Sequence, residues 1–302
     1  MAQAKQSKLN REESGQTLAL VALLMLGMVS IMALVLDGGN LYLHRRRMQN
    51  AADAAALAAV HELALNRSAA VAQASGLDYC LTRNGADRCD VDIGTKVVTA
   101  RACADVEMTF ARVLGLLSEE ICAVAEATYG SPSKMAHMAP IAVKWFPFNY
   151  TTIYNLWDSD KDYDPLSGTI AGSYRGWLSL DCVYPESCSA VGASVLKDWM
   201  RHGYDGDTSI DTWVRGDNGT KASVIAEATV GQILFFPVFD TIQDKYNNKA
   251  YYHIVTFAAF EVTAVHKSGN PKGISGRFKY YVVPGDFGGT VDGGVRSIGL
   301  TR

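Results

Sequence analysis

The chain has 302 residues, 48% of them hydrophobic and 20% charged, which leaves room for an anchor and one or two folded units. Its 28 basic and 31 acidic side chains nearly cancel to a formal net charge of −3, so no electrostatic footprint for nucleic acid is present. The aromatic residues lie mostly toward the C-terminus: all five Trp, 11 of the 14 Tyr and nine of the ten Phe follow residue 140, which places the main hydrophobic core in that half.

In chain order, residues 1–14 are polar and read as a cytoplasmic tail. Thr17 to Leu36 (TLALVALLMLGMVSIMALVL) is an uncharged run within a transmembrane anchor assigned to 15–37. About 20 residues at the helical rise match a hydrocarbon core of ~30 Å, and the run exceeds the ~7–15 residues of a cleavable signal core. No A-x-A-like cleavage site follows it, so the span is expected to be retained. Asp37-Gly38-Gly39-Asn40 reads as a hinge, with a second helix from about Leu41 to Ala74. That helix holds 12 alanines between Ala51 and Ala74, and Leu41, Met48, Ala52, Ala55 and Ala59 make a narrow stripe suited to another helix. Ala52, Ala55 and Ala59 are therefore the candidate packing interface, to an assembly partner or a second copy of the chain; packing on residues 77–129 of the same chain is the alternative.

From Gly76 to Ser131 the pattern predicts strand, helix, strand. Val91 to Ala104 is extended, Glu107 to Leu117 has helical periodicity with Phe110, Val113, Leu114 and Leu117 on one face, and Glu119 to Tyr129 alternates. Residues 131–140 read as a linker. Strand signals follow at 141–148, 151–157, 173–180, 232–240, 251–265 and 276–284, with a helix capped by Ser189 and a short one over 220–228. The fold class is therefore α+β: a spanning helix continuing into an Ala-rich helix, a small α/β unit to residue 130, and a strand-dominated, partly closed sheet or barrel over 141–302.

Cysteines stand at 80, 89, 103, 122, 182 and 188, all beyond the span. There is no C-x-x-C and no histidine pair at ligand spacing, so disulfides in an oxidising compartment are expected rather than zinc. The simplest pairing is Cys80–Cys89, Cys103–Cys122 and Cys182–Cys188, one of 15 that six cysteines allow. Asp158, Asp160, Asp162 and Asp164 alternate in a loop and are weak candidates for calcium; Tyr163 and Thr169 occupy positions where an EF-hand needs Gly and Glu. Asp205, Asp207 and Asp211 form a second acidic cluster. His202, His253 and His266 lack an elbow or triad context, and neither G-x-S-x-G nor a P-loop occurs. No catalytic residue and no cofactor is assigned, and no enzyme activity is expected.

One ordered set of residues carries a family resemblance. Gly15-Gln16 opening the span, Asp37 closing it, Leu41-Tyr42, Arg46, Met48-Gln49 and the run from Ala51 to Ala59 (AADAAALAA) resemble the N-terminal region of Flp (tight adherence) pilus-assembly TadG/TadE-like proteins, most specifically over residues 14–65. Gly172 to Asp181, Phe235 to Val238 and Tyr251 to Val255 resemble the C-terminal region of TadG-like proteins. The resemblance implies a single-pass protein of the bacterial cell membrane, N-terminus inside and bulk outside, acting as an accessory or minor-pilin-like component of a pilus or secretion machine through protein contacts. Prepilin-like members are cut after a glycine and carry glutamate at the fifth mature position; counted from Gly15 that position is Leu20, so cleavage there is not expected. The metal-binding D-x-S-x-S motif of larger TadG-like proteins is absent from this sequence. Arg45-Arg46-Arg47 then face outer headgroups or acidic groups on a partner. The alternative is an extracytoplasmic binding or hydrolytic domain tethered by a pilin-like anchor.

Overall fold

The computed structural model describes residues 3–159, 161, 164–186, 188–217, 219, 221–246 and 249–301, with backbone alone for 3–16, 113–114 and 245–246. Helix α1 (Gln3–Ala64) is one uninterrupted element of 62 residues. At 1.5 Å per residue it is about 90 Å long. The expected hinge at Asp37-Gly38-Gly39-Asn40 is not there: the helix passes through all four residues. The glycine penalty, ~1 kcal/mol each, is too small to break a cooperative ladder that continues on both sides. α1 stops at Ala64, and Ser68 caps a separate helix α2 (Ala69–Leu77), its hydroxyl accepting from the Val71 N–H.

A π-helical turn (Asp78–Arg83) leads into β1 (Arg88–Ile93) and β2 (Val97–Glu107), so the extended stretch over 91–104 is a hairpin bent at 94–96. The helix expected over 107–117 is also corrected. Those residues are the end of β2 and a loop with one 3-10 turn (Ala111–Leu114), which closes on Gly115 at φ +89°. β3 (Ser118–Pro132) then pairs antiparallel with β2 along its length.

The segment 131–140 is packed chain, not a free linker. β4 (Lys134–Met135) follows β3 directly, and Met138 is fully buried, bridging to Tyr204 and Phe235. Beyond it come β5 (Ile141–Lys144), β6 (Tyr154–Trp157), β7 (Thr169–Ile170), β8 (Arg175–Val183), α3 (Ala193–His202), β9 (Thr208–Ser209), β10 (Thr212–Asp217), α4 (Ala222–Ile225), β11 (Ile233–Tyr246), β12 (Lys249–His266) and β13 (Gly273–Lys279). The order β10-β8-β5-β11-β12, with β12 pairing back to β10, closes a five-stranded barrel; β13, β6 and β7 extend it from β12. Register shifts in β11 at Val238/Phe239 and Phe239/Ile242 supply curvature for closure. The expected aromatic core is present on and around these strands, with Trp177, Phe236, Phe239, Phe257, Phe260 and Phe278 buried. Ser189 does not cap α3; Gly192 stands at that position.

The chain then turns back. β14 (Tyr281–Val283), β15 (Phe287–Gly289) and β16 (Val295–Leu300) join the first sheet, whose order is β1-β2-β3-β16-β14 with β15 also on β3. The unit assigned to 141–302 is thus not a self-contained stretch: its last segment completes the sheet that begins at residue 88.

Candidate functional site

The stalk of α1 lies across β3, β2 and β16. Met48, Ala51, Ala52, Ala55, Ala56, Ala59 and Val60 are all buried, and they share a core with Ala100, Ala102, Ala104, Ala123, Ala125 and Ala127. The register explains the floor they rest on. Ala100 pairs with Ala125 and Ala102 with Ala123, so alternation presents methyl groups on one face of β2 and β3. Small side chains on both surfaces let helix and sheet backbones approach closely. This corrects the assignment of Ala52, Ala55 and Ala59 to a contact with another chain: each has zero exposure in the single chain. Gly76 of α2 joins the same packing, since a Cβ there would stand 3.1 Å from the Ala55 carbonyl oxygen and 3.2 Å from the Ala59 methyl.

Two polar clamps hold the stalk at its ends. At the foot, the buried Asp37 carboxylate accepts from three backbone N–H groups of the β2–β3 loop, Thr109 (3.0 Å), Phe110 (3.0 Å) and Ala111 (2.6 Å). It thereby caps the 3-10 turn from a different element, and charge-assisted bonds offset its desolvation. At the head, Arg296 of β16 donates to the final carbonyls of α1, Leu63 (3.3 Å), which also accepts from the Asn66 N–H, and Ala64 (3.0 Å). The same guanidinium donates to Asp292 at 2.6 Å and sits over the rings of Tyr129 (5.0 Å) and Tyr280 (4.6 Å). Burial pushes the Asp292 carboxyl up, but the bonds from Arg296 and the Gly294 N–H outweigh it and leave it below its ordinary value. The two clamps are about 40 Å apart along the helix. Asp37 was legible as an acid closing the span; its partners and the whole Arg296 clamp join residues too distant in sequence for any local signal.

The structure forms the disulfides Cys80–Cys89, Cys103–Cys122 and Cys182–Cys188 and has no free cysteine. The first ties the π-helical turn to β1, and the second joins register partners of β2 and β3. Glu120 lies beside Cys103 and Cys122, but both sulfurs are committed to each other rather than to a metal.

The loop acids are employed by the protein. Asp158 is buried, its Oδ1 accepting from Arg175 Nη2 at 2.8 Å and from Trp177 Nε1 at 3.2 Å. Asp164 caps a 3-10 turn through the Leu166 N–H. Asp160 and Asp162 lie outside the described residues, and the two that are described are each engaged by separate partners. Asp207 pairs with Lys134 at 2.8 Å and Asp205 faces His137 at 3.6 Å, which separates the second acidic cluster.

A cleft of about 270 Å³ opens at the barrel beside Arg175, Trp177, Asp217 and Tyr252. The Tyr252 ring lies between Gly176 and Gly216, where any Cβ would overlap it, and burial raises its hydroxyl pKa. His253 Nδ1 sits 2.9 Å from Asp240, with its ring 4.9 Å from that of Trp213. His266 Nε2 lies 2.7 Å from the Ser275 hydroxyl, which is itself 2.7 Å from Asn155 Oδ1. Ser275 is buried in mid-strand, and His202 pairs with Asp198 elsewhere. These pairs bind neighbouring strands or turns to one another; they do not meet at the cleft.

Residues 15–74 match the family of putative Flp pilus-assembly TadE/G-like proteins, so the apolar stretch of α1, the stalk and the start of α2 form a TadE/G-like region. No curated protein and no solved structure matches the chain.

Proposed function

We propose that the chain is a non-catalytic, accessory or minor-pilin-like component of a Flp/Tad-type pilus-assembly or secretion machine, acting by protein–protein contact. One observation carries the reading: the TadE/G-like match falls on a helix whose apolar stretch has no protein cover at all, while the stalk that continues it is locked to the folded body. A 20-residue bare apolar stretch suits a single-pass anchor. The three disulfides favour an oxidising compartment for the body, and with Lys5, Lys8 and Arg11 ahead of the span this argues for N-in, C-out. With the alanine seam consumed internally, partners meet the bare span, the exposed Arg45 to Arg47 or the barrel surface.

A periplasm-active reporter fused after Tyr129 should be active; activity of a cytoplasmic reporter at the same position overturns the orientation. Deleting the gene should reduce surface pili, and the intact chain should restore them; normal piliation in the deletion overturns the assembly role. The cleft at Arg175, Asp217 and Tyr252 supports a second reading, a tethered binding domain. Small-molecule-dependent stabilisation of a protein that leaves piliation untouched would favour it.

A further inference from the structure

We propose that the β2–β3 loop, residues 108–117, is a second membrane contact: an apolar foot resting in the headgroup–acyl boundary beside the spanning helix. This rests on the anchor reading and goes beyond it. Asp37 directly follows the apolar run that ends at Leu36, so it stands at the edge of the hydrocarbon layer. Its three hydrogen bonds, 2.6–3.0 Å long, hold residues 109–111 at that same height. The loop reads Met108-Thr-Phe-Ala-Arg-Val-Leu-Gly-Leu-Leu117, with Arg112 as its one charge.

Met108 is buried and Phe110 half-buried, but the end of the loop is not used for the fold. Leu116 and Leu117 are 59% and 63% exposed, and nearby on α1 Tyr42 and Leu43 are 61% and 56% exposed. Together with Leu36 they continue the apolar surface of the span beyond its end. Tyr is enriched at membrane–water interfaces, and Arg112 has the length to keep its charge among headgroups. The same features explain why the period of 107–117 is not that of a helix packed on the body: Leu117, on the expected apolar face, stays exposed. The occupant is therefore lipid, continuous with the lipid around the span.

The test uses the full chain in phosphatidylcholine vesicles with bromine placed shallow on the acyl chains. A tryptophan at Leu117→Trp should add blue-shifted emission, relative to the parent protein, that brominated lipid quenches at least twofold. Val97→Trp reports a site at the opposite end of β2, ten residues and about 30 Å up the strand from Glu107, and should be unquenched. Asp37→Ala combined with Leu117→Trp should weaken the quenching while the chain stays in the membrane pellet after alkaline wash. Unquenched, water-like emission from Trp at 117 in membrane-retained protein overturns the foot alone. Release of the protein by alkaline wash overturns the anchor reading, and the foot with it.

Discussion

The stalk unit and the barrel are packed by opposite means. In the barrel domain, bulk does the work: Trp177, Phe236, Phe257, Phe260 and Phe278 are buried in one hydrophobic core. In the stalk unit, alanines of α1 meet alanines of β2 and β3, and the gain comes from close backbone approach with little apolar area per residue. A thin core of this kind needs other support. Two of the three disulfides lie there, and each closed loop is worth about 3 kcal/mol in the chain-entropy model. The Asp37 and Arg296 clamps fix the ends of the helix. Where side-chain volume is scarce, cross-links and polar termini take over its role.

The contrast is broken most sharply by opposite volume changes. Phe260→Ala should cost the barrel about 3–5 kcal/mol through lost burial and a cavity. In the stalk the damaging direction is reversed: Ala55→Leu should cost about 1–3 kcal/mol by overpacking, because Ala55 has no exposure and no space. All five Trp follow residue 140, so their fluorescence follows the barrel, while protease cleavage within 88–130 follows the stalk unit. Ala55→Leu should open the second readout first. If its only effect were loss of a partner with cleavage unchanged, the internal seam would be refuted.

Arg296→Met should have the next largest effect, about 1–3 kcal/mol, by leaving the Ala64 carbonyl without the guanidinium donor while Leu63 keeps the Asn66 N–H. Its acid linkage has a definite sign. Asp292 is held below its ordinary pKa when folded, so its contribution is present above the unfolded value, near 4, and is lost as pH falls through the lower folded value. Melting curves between pH 6 and pH 2 should therefore drop more steeply for the parent than for Asp292→Asn; identical slopes would deny the linkage. Asp292 is half-exposed, which keeps this effect small.

The smallest change should go the other way. An added Cβ at Gly38 or Gly39 meets nothing within 4 Å, so either Gly→Ala should stabilise a continuous helix by up to ~1 kcal/mol. Destabilisation by Gly39→Ala, read from helix content on heating, would restore the hinge.

What was legible in the sequence was local. The long apolar helix, the acid at the end of its apolar run, the disulfide partners and most strands from 119 onward follow from composition, spacing and period. The misreadings share a cause, since each depends on what a segment faces. Glycines at 38 and 39 look like a break until the helix on either side is seen to continue. The loop at 108–117 has a 3.6-residue period, yet Met108 is buried while Leu116 and Leu117 stay exposed. The alanine stripe is equally suited to a partner helix or to a floor of alanines, and the floor is visible only once β2 and β3 are in register. The return of β16 pairs Ser297 with Gly130, a contact across most of the chain that no local pattern announces.

That return also sets an order of events during synthesis. β3 is complete at Pro132, yet its neighbour on the open side is β16, which ends at Leu300. At ~5–20 residues per second, the ribosome leaves that edge waiting on the order of ten seconds. In that interval the head of α1 has no Arg296, and β3 offers unpaired backbone groups to any strand nearby. A chain interrupted before residue 295 could complete its barrel strands and still carry an open edge beside the head of α1, a defect that quality-control proteases could recognise.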